Sequence, residues 1–472
     1  MRKRGIAPFC WSSTSQLKRA DWRGFRIVVC LAMSAIGLLL APAWSAPPEK
    51  DYAAGCATSG CHDGFAKKPV VHTPIEQGAC DACHEAKPEA KHSFKLKAEG
   101  AALCTECHEA QEFEGKVVHA PIGQGQCTAC HDPHSSKEKS LIRFESTGAM
   151  CGECHSEALE GLKFVHGPAA AGQCTTCHAP HVSTEAKLLR SKDPAMCLEC
   201  HSEVGERIAE LEHKHAPAEA ACLSCHKPHG AGNSMMLAST APTLCNDCHE
   251  DVASKVAGAK CKHSPAAAEN GCMSCHDSHA SAADGLLKKE SSAKLCLSCH
   301  DQEVKSGPRA LMNVGGHLAR HANAHGPIRD GSCMPCHDAH GAERSALLTK
   351  SFPEKFYSAY SAEAYGLCFE CHEADAFASA DGGDTEFRNG NTNLHYLHVN
   401  KSPKGRNCRA CHDPHASNND KHIREQTPFG SWSIPINFRS TDNGGSCGPG
   451  CHQSYSYDRK TPVSNLQKSK NP

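Results

Sequence analysis

Aromatic residues are scarce: 25 in 472, of which six fall between Pro47 and Lys350. With so few large apolar side chains, the conformational entropy of ordering roughly 300 residues is left uncompensated unless something else fills the interior. Long apolar runs are scarce too. The one at 27–41, IVVCLAMSAIGLLLA, has 15 residues, short of the about 20 that span a bilayer. It follows a basic stretch and precedes APAWSA, which predicts an export signal cut near Ser45 or Ala46. An excess of positive charge is also missing. Lys and Arg number 50 against 52 Asp and Glu, and without residues 1–45 the balance is 43 against 51. Nucleic-acid binding, which needs a clustered basic surface, is not supported.

Cysteine and histidine, by contrast, are abundant, at 33 and 34. Cys-x-x-Cys-His occurs thirteen times: at Cys80/Cys83/His84, Cys104/Cys107/His108, Cys127/Cys130/His131, Cys151/Cys154/His155, Cys174/Cys177/His178, Cys197/Cys200/His201, Cys222/Cys225/His226, Cys245/Cys248/His249, Cys272/Cys275/His276, Cys296/Cys299/His300, Cys333/Cys336/His337, Cys368/Cys371/His372 and Cys408/Cys411/His412. Looser versions flank them, at Cys56/Cys61/His62 and Cys447/Cys451/His452. This string is the c-type haem attachment signature. Two thiols form thioethers with the vinyl groups on one porphyrin edge, and the next residue places its imidazole under the ring as the proximal ligand. Zinc sites and disulfide frameworks also use paired cysteines, but neither needs a histidine directly after the second cysteine, which stands in all fifteen cases. About 15 covalently bound haems are therefore expected. Cys261, in AKCKHSP, is left over and is expected to be an inert thiol.

The motifs come as pairs in a repeat. First members start at 80, 127, 174, 222, 272, 333 and 408, second members at 104, 151, 197, 245, 296, 368 and 447. Each unit carries His-x-Pro, the first motif followed by x-x-His, an apolar pair such as Leu188-Leu189, Leu286-Leu287 or Leu347-Leu348, and the second motif. Removing 15 proximal histidines leaves 19. Distal candidates are one upstream and one downstream histidine per unit: His72, His119, His166, His215, His263, His325 and His398, and His92, His134, His181, His229, His279, His340 and His415. In unit seven His395 is the alternative to His398, and in unit one His92 lies eight residues after His84 rather than three. The leading site at Cys56 then draws on His213, His317, His321, His395 or His422. His131 and His134, three apart, would leave a helical turn in similar directions, so His134 and its equivalents are expected to serve the iron of another motif. Proline is expected to keep the His-x-Pro histidine extended.

The paired motifs with His-x-Pro at His72, His119, His166, His215, His263 and His325 resemble the doubled Cys-x-x-Cys-His family of multihaem c-type cytochromes, electron conduits of metal-respiring bacteria. The resemblance covers essentially the whole chain after the export signal. It implies redox proteins or quinol-oxidising membrane complexes as upstream partners. Downstream it implies other multihaem cytochromes, a porin conduit or extracellular acceptors.

The expected fold is mostly irregular, with short α-helices and little or no β-structure, built from repeats wrapped around a haem stack. Its parts are an export signal (1–46), a leading haem segment (47–66), tandem paired repeats (67–350) and an aromatic-richer C-terminal haem segment (351–472). The 14 aromatics after Lys350 are expected to form a small core there. The expected function is electron transfer without catalysis in an exported protein, in the periplasm first, with the outer membrane or cell surface as the other placement. The alternative is a reductase of a small nitrogen or sulfur oxyanion, which needs one iron with an open position.

Overall fold

A Cys-x-x-Cys string places its two thiols on the same side of one tight turn, because side chains at i and i+3 eclipse in a 3₁₀-helix. The computed structural model, which describes Cys56 and residues 62–88, 92–306 and 309–465, builds such turns at Cys80–Ala82, Cys127–Ala129, Cys174–Thr176, Cys222–Ser224 and Cys408–Ala410. The expected export signal, most of the leading segment and Cys61 lie outside the described residues. Six of the seven second motifs begin on short α-helices, the longest being Thr147–His155 and Ser292–His300, both started by a serine whose hydroxyl accepts a backbone N–H; the seventh begins at the end of the strand Gly444–Cys447. No described helix is longer than nine residues, and none is long and apolar enough to cross a membrane.

The structure is mostly irregular with short helices, but the expectation of little or no β-structure needs correction. Among the described residues there are nine two-stranded antiparallel ladders and one three-stranded sheet. Five of the ladders are two residues long and stitch consecutive units together. Val70–Val71 pairs with Ser135–Ser136, Val117–Val118 with Val182–Ser183, Phe164–Val165 with Gly230–Ala231, His213–Lys214 with Ala280–Ser281, and Asn323–Ala324 with Ala416–Ser417. Each joins the segment before one unit's upstream histidine to the segment after the next unit's downstream histidine. Pairs this short carry no alternation that a periodicity search could find. Cys261 occupies the equivalent place in unit five, exchanging backbone hydrogen bonds with Ala342 at 2.8 and 3.0 Å.

The side-chain core is thin. Of ten buried apolar residues, seven are alanine and the others are Tyr365, Val399 and Ile436. All three lie in the C-terminal segment, where Tyr365 packs against the rings of Phe352, Tyr360 and Phe369 at 5.9 to 6.3 Å. Phe356, Tyr357 and Phe429 form a second cluster at 5.0 to 6.0 Å. In the repeats, a continuous cavity of about 5190 Å³ takes the place of such a core, against roughly 300–1,000 Å³ for an ordinary ligand pocket. Its walls carry the motifs from Cys151 to His452 and the leucines Leu189, Leu286, Leu287, Leu347 and Leu348.

Candidate functional site

Fourteen of the fifteen motif histidines face another histidine, with ring centres 5.8 to 6.4 Å apart. A metal–imidazole bond of about 2 Å on each side, with the radius of a five-membered ring added at each end, comes to about 6 Å. The spacing is therefore that of two imidazoles on opposite faces of one iron. The fifteenth, His452, is close enough to the buried His398 to perturb its charge.

The pairing follows a staggered rule. Upstream histidines face the second motif of their own unit: His72 with His108, His119 with His155, His166 with His201, His215 with His249, His263 with His300, and His325 with His372. Downstream histidines face the first motif of the preceding unit: His134 with His84, His181 with His131, His229 with His178, His279 with His226, His340 with His276, and His415 with His337. The structure thus sets His134 and its equivalents against another motif, but not for the helical reason expected. After His131 the chain runs extended, in an antiparallel bridge with Ile142.

The stagger corrects the assignments at both ends. His62 faces His92, at 6.2 Å, rather than any of His213, His317, His321, His395 or His422. His412 has no following unit to draw on and faces His395, at 6.3 Å. The sequence count treated His395 as an alternative or spare residue. Shifting every downstream histidine back by one unit would have freed His92 and left His412 in need of a new partner. His213, His317, His321 and His422 stand outside the fourteen facing pairs.

Local backbone positions these rings. His72, His119, His166, His215 and His325 are extended N-cap residues of short helices with proline at the first or second position. The residue between histidine and proline is already helical, so proline's effect on its predecessor is not what holds the histidine extended; the histidine's backbone N–H donates instead to the carbonyl of the next unit's downstream histidine, as from His72 to His134 at 2.9 Å. The Nδ1 of His72, His119, His166, His215 and His263 donates to the carbonyls of Pro133, Pro180, Pro228, Ser278 and Ala339, at 2.8 to 3.1 Å. First-motif histidines are anchored differently. His131, His178, His226, His276, His337 and His412 donate to the carbonyl nine residues on, from Ser140, Lys187, Met235, Gly285, Ala346 and Lys421, at 2.7 to 3.0 Å. Each of those residues opens a pair of left-handed residues, non-glycine except at Gly285. Such backbone costs about 1–2 kcal/mol per residue and gathers where function needs it. A proton on Nδ1 leaves Nε2 bare for a metal. Sequence reading missed these turns, whose only signal is the Leu-Leu-like text.

Asp132, Asp277, Asp338 and Asp413 use one oxygen to accept the backbone N–H of the downstream histidine at 3.0 to 3.1 Å. The other oxygen meets Lys68, Arg207, Lys255 and Arg424, respectively. These partners hold Asp132, Asp277 and Asp413 below the usual carboxylate range, against the opposing effect of burial. Burial pushes the histidines down, His395 to about 3 and His415 to about 4. They are neutral at ordinary pH, the form that ligates metal.

Cysteines of each motif perturb those of the next, in unbroken sequence order. These influences run Cys56 to Cys80, Cys83 to Cys104, Cys104 to Cys127, Cys130 to Cys154 and Cys151 to Cys174. They continue Cys177 to Cys200, Cys197 to Cys222, Cys225 to Cys245 and Cys245 to Cys272, then Cys275 to Cys299, Cys296 to Cys333, Cys336 to Cys368, Cys368 to Cys408 and Cys411 to Cys447. Asp193 joins Cys197 and Cys222, but its carboxylate caps the backbone N–H groups of Cys222 and Leu223. It is part of a motif turn.

The attachment thiols differ in exposure. The second thiol is half-buried in the first motifs, from Cys83 to Cys411, but exposed in the second motifs, at Cys107, Cys154, Cys200, Cys248, Cys299, Cys371 and Cys451. Cys107 and Cys154 are exposed and lie outside the walls of the large cavity. Cys104 is half-buried beside Cys127. The motif turn itself is intact, with the Cys107 backbone N–H donating to the Cys104 carbonyl at 3.2 Å and His108 facing His72 at 6.2 Å.

The donor set fits c-type haem: paired thiols on one turn, an adjacent imidazole, a facing imidazole at the two-ligand distance, and a cavity running past the motifs. A family described as the doubled CXXCH motif matches residues 72–113, 119–160, 166–206, 215–254, 263–305 and 325–377. No curated protein matches the chain.

Proposed function

The chain belongs to the doubled CXXCH family of multihaem c-type cytochromes, and from that premise we propose that it carries electrons along fifteen haems whose spatial order follows the sequence. Haem iron, cycling between ferric and ferrous states, supplies the one-electron chemistry. The observation that carries the proposal is the staggered run of facing histidine rings from His62 to His412, each downstream histidine of one unit facing the first motif of the unit before.

The residues divide the work. Thirty cysteines would attach the groups, and the fifteen proximal histidines together with His72, His92, His119, His134, His166, His181, His215, His229, His263, His279, His325, His340, His395, His398 and His415 would hold the irons. Two imidazoles on each iron close it to substrate, which favours a carrier over a reductase. Because each downstream histidine belongs to one unit and serves the previous one, neighbouring sites are held together by the covalent chain itself. Export places the carrier in respiratory or extracellular electron transfer, between redox proteins or a quinol-oxidising complex upstream and other cytochromes, a porin conduit or extracellular acceptors downstream.

The test is the electron paramagnetic resonance spectrum of the oxidised holoprotein, with haem content from a pyridine haemochrome assay. Fifteen haems, all low-spin, are expected. A stoichiometric high-spin signal would reveal an open iron and favour the reductase.

A further inference from the structure

Among the described residues, the ring hydrogen bonds that anchor facing histidines at 3.1 Å or less nearly all end on backbone carbonyls, which no substitution removes. His395 is different. Its Nδ1 lies 2.7 Å from Oγ1 of Thr385, a residue only 7% exposed. The same oxygen accepts the backbone N–H of Phe387 at 3.1 Å, which fixes the hydroxyl in place. The His395 ring is wedged between Phe377 and Phe387, at 4.9 and 5.1 Å, and its other side faces His412 at 6.3 Å. His412 is anchored as well, on the Lys421 carbonyl at 2.8 Å.

We infer that Thr385 is a positioning residue for the haem attached at Cys408 and Cys411, holding the proton on Nδ1 of His395 and its bare Nε2 toward the iron. The inference rests on the carrier reading, in which His395 and His412 are the two axial ligands of that haem. An imidazole whose N–H is given to an oxygen acceptor is a more basic ligand, and a more basic ligand favours ferric iron. Thr385 therefore lowers the potential of this one haem. In the tandem repeats the same effect comes from carbonyls and reaches one histidine of the pair: the upstream ligand for second motifs, the proximal one for first motifs. At Cys408 both ligands are anchored, one of them by a side chain that can be altered.

The test uses the full holoprotein and compares Thr385→Val, Thr385→Ser and His395→Ala. T385V keeps the shape and removes the acceptor, leaving a buried N–H unpaired. One haem in fifteen is expected to move to higher potential in a redox titration and to change its low-spin g-values. Added cyanide should convert that haem at about 10- to 100-fold lower concentration, the usual size of a lost ligand-orienting contact. T385S restores all three properties. H395A should yield one high-spin haem per chain. If it leaves every iron low-spin, the ligand assignment of His395 fails, and the inference with it. If H395A opens one iron while T385V matches the wild type in potential, g-values and cyanide response, the role of Thr385 is overturned and the ligand assignment stands. Should T385V mature poorly, Thr385→Cys, whose sulfur is only a weak acceptor, reads the same three quantities.

Discussion

A histidine binds iron through a bare nitrogen, so each ligand position must fix both a place and a tautomer. Here the two requirements are met by different parts of the chain, as at His131, placed by the motif turn and oriented by the carbonyl of Ser140 at 2.7 Å. Replacing His134 with alanine is expected to open the iron of the Cys80 motif, in the preceding unit. Spin quantitation should find one high-spin haem per chain with haem content unchanged; a loss from the Cys127 motif instead would break the staggered rule. The buried rings also predict a pH response. Burial lowers His395 to about 3 and His415 to about 4, whereas an unfolded histidine titrates near 6.5. Between those values the unfolded chain binds protons that the folded one does not, so stability is fully present above about pH 6.5 and falls as pH drops toward 4. Thermal melts followed at the Soret band should show a flat midpoint above pH 7 and a progressive decline below it. A midpoint that rose on acidification would contradict this reading of the buried rings.

The short elements owe their form to what they carry. The left-handed pair at Ala346 and Leu347, with φ of 55° and 56°, exists to aim a carbonyl at His337. Gly285 already occupies the same place in unit five, with φ 64°. Ala346→Gly is therefore expected to raise stability by about 1 kcal/mol or less, the left-handed penalty offset in part by glycine's entropy, with the haem spectrum unchanged. A fall in the melting midpoint would show that the strain is relieved elsewhere. The opposite holds at Gly172, with φ +67°, where an added Cβ would lie 2.9 Å from the Gly148 Cα. These two glycines let the helix Thr147–His155 approach the turn Cys174–Thr176, bringing Cys151 to Cys174. Gly172→Ala should cost at least the about 1–2 kcal/mol of the left-handed position and lower the melting midpoint measurably.

At the scale of the whole molecule, order in space follows order in the chain, because each unit's downstream histidine reaches back one unit and each ladder ties that reach down. Removing an interior attachment site should therefore interrupt the array rather than merely thin it. The double substitution Cys245→Ala and Cys248→Ala is expected to leave fourteen haems and to slow transfer between the two ends by orders of magnitude. Rapid-mixing reduction kinetics resolved by haem would check it, and unchanged end-to-end rates would mean that parallel routes exist.

Attachment chemistry, repeat and histidine supply were legible in the sequence because they are local: two thiols and an imidazole within five residues constrain one another wherever the chain goes. The C-terminal core was legible for the same kind of reason, since aromatics reappear only after Lys350. The pairing of histidines was legible only in part. His92 facing His62, and His395 facing His412, depend on a one-unit shift that spacing alone permits but does not require. The two-residue ladders, the left-handed turns and Thr385 were not legible at all. They are set by contacts between segments far apart in the chain, where a backbone carbonyl of any residue serves as acceptor and so leaves no mark on residue type. What the chain could declare by itself was which side chains are of the kind and spacing to hold a haem. Which ring faces which, and what orients it, was decided by tertiary structure, because backbone hydrogen bonds between units depend on distance and direction rather than on residue identity.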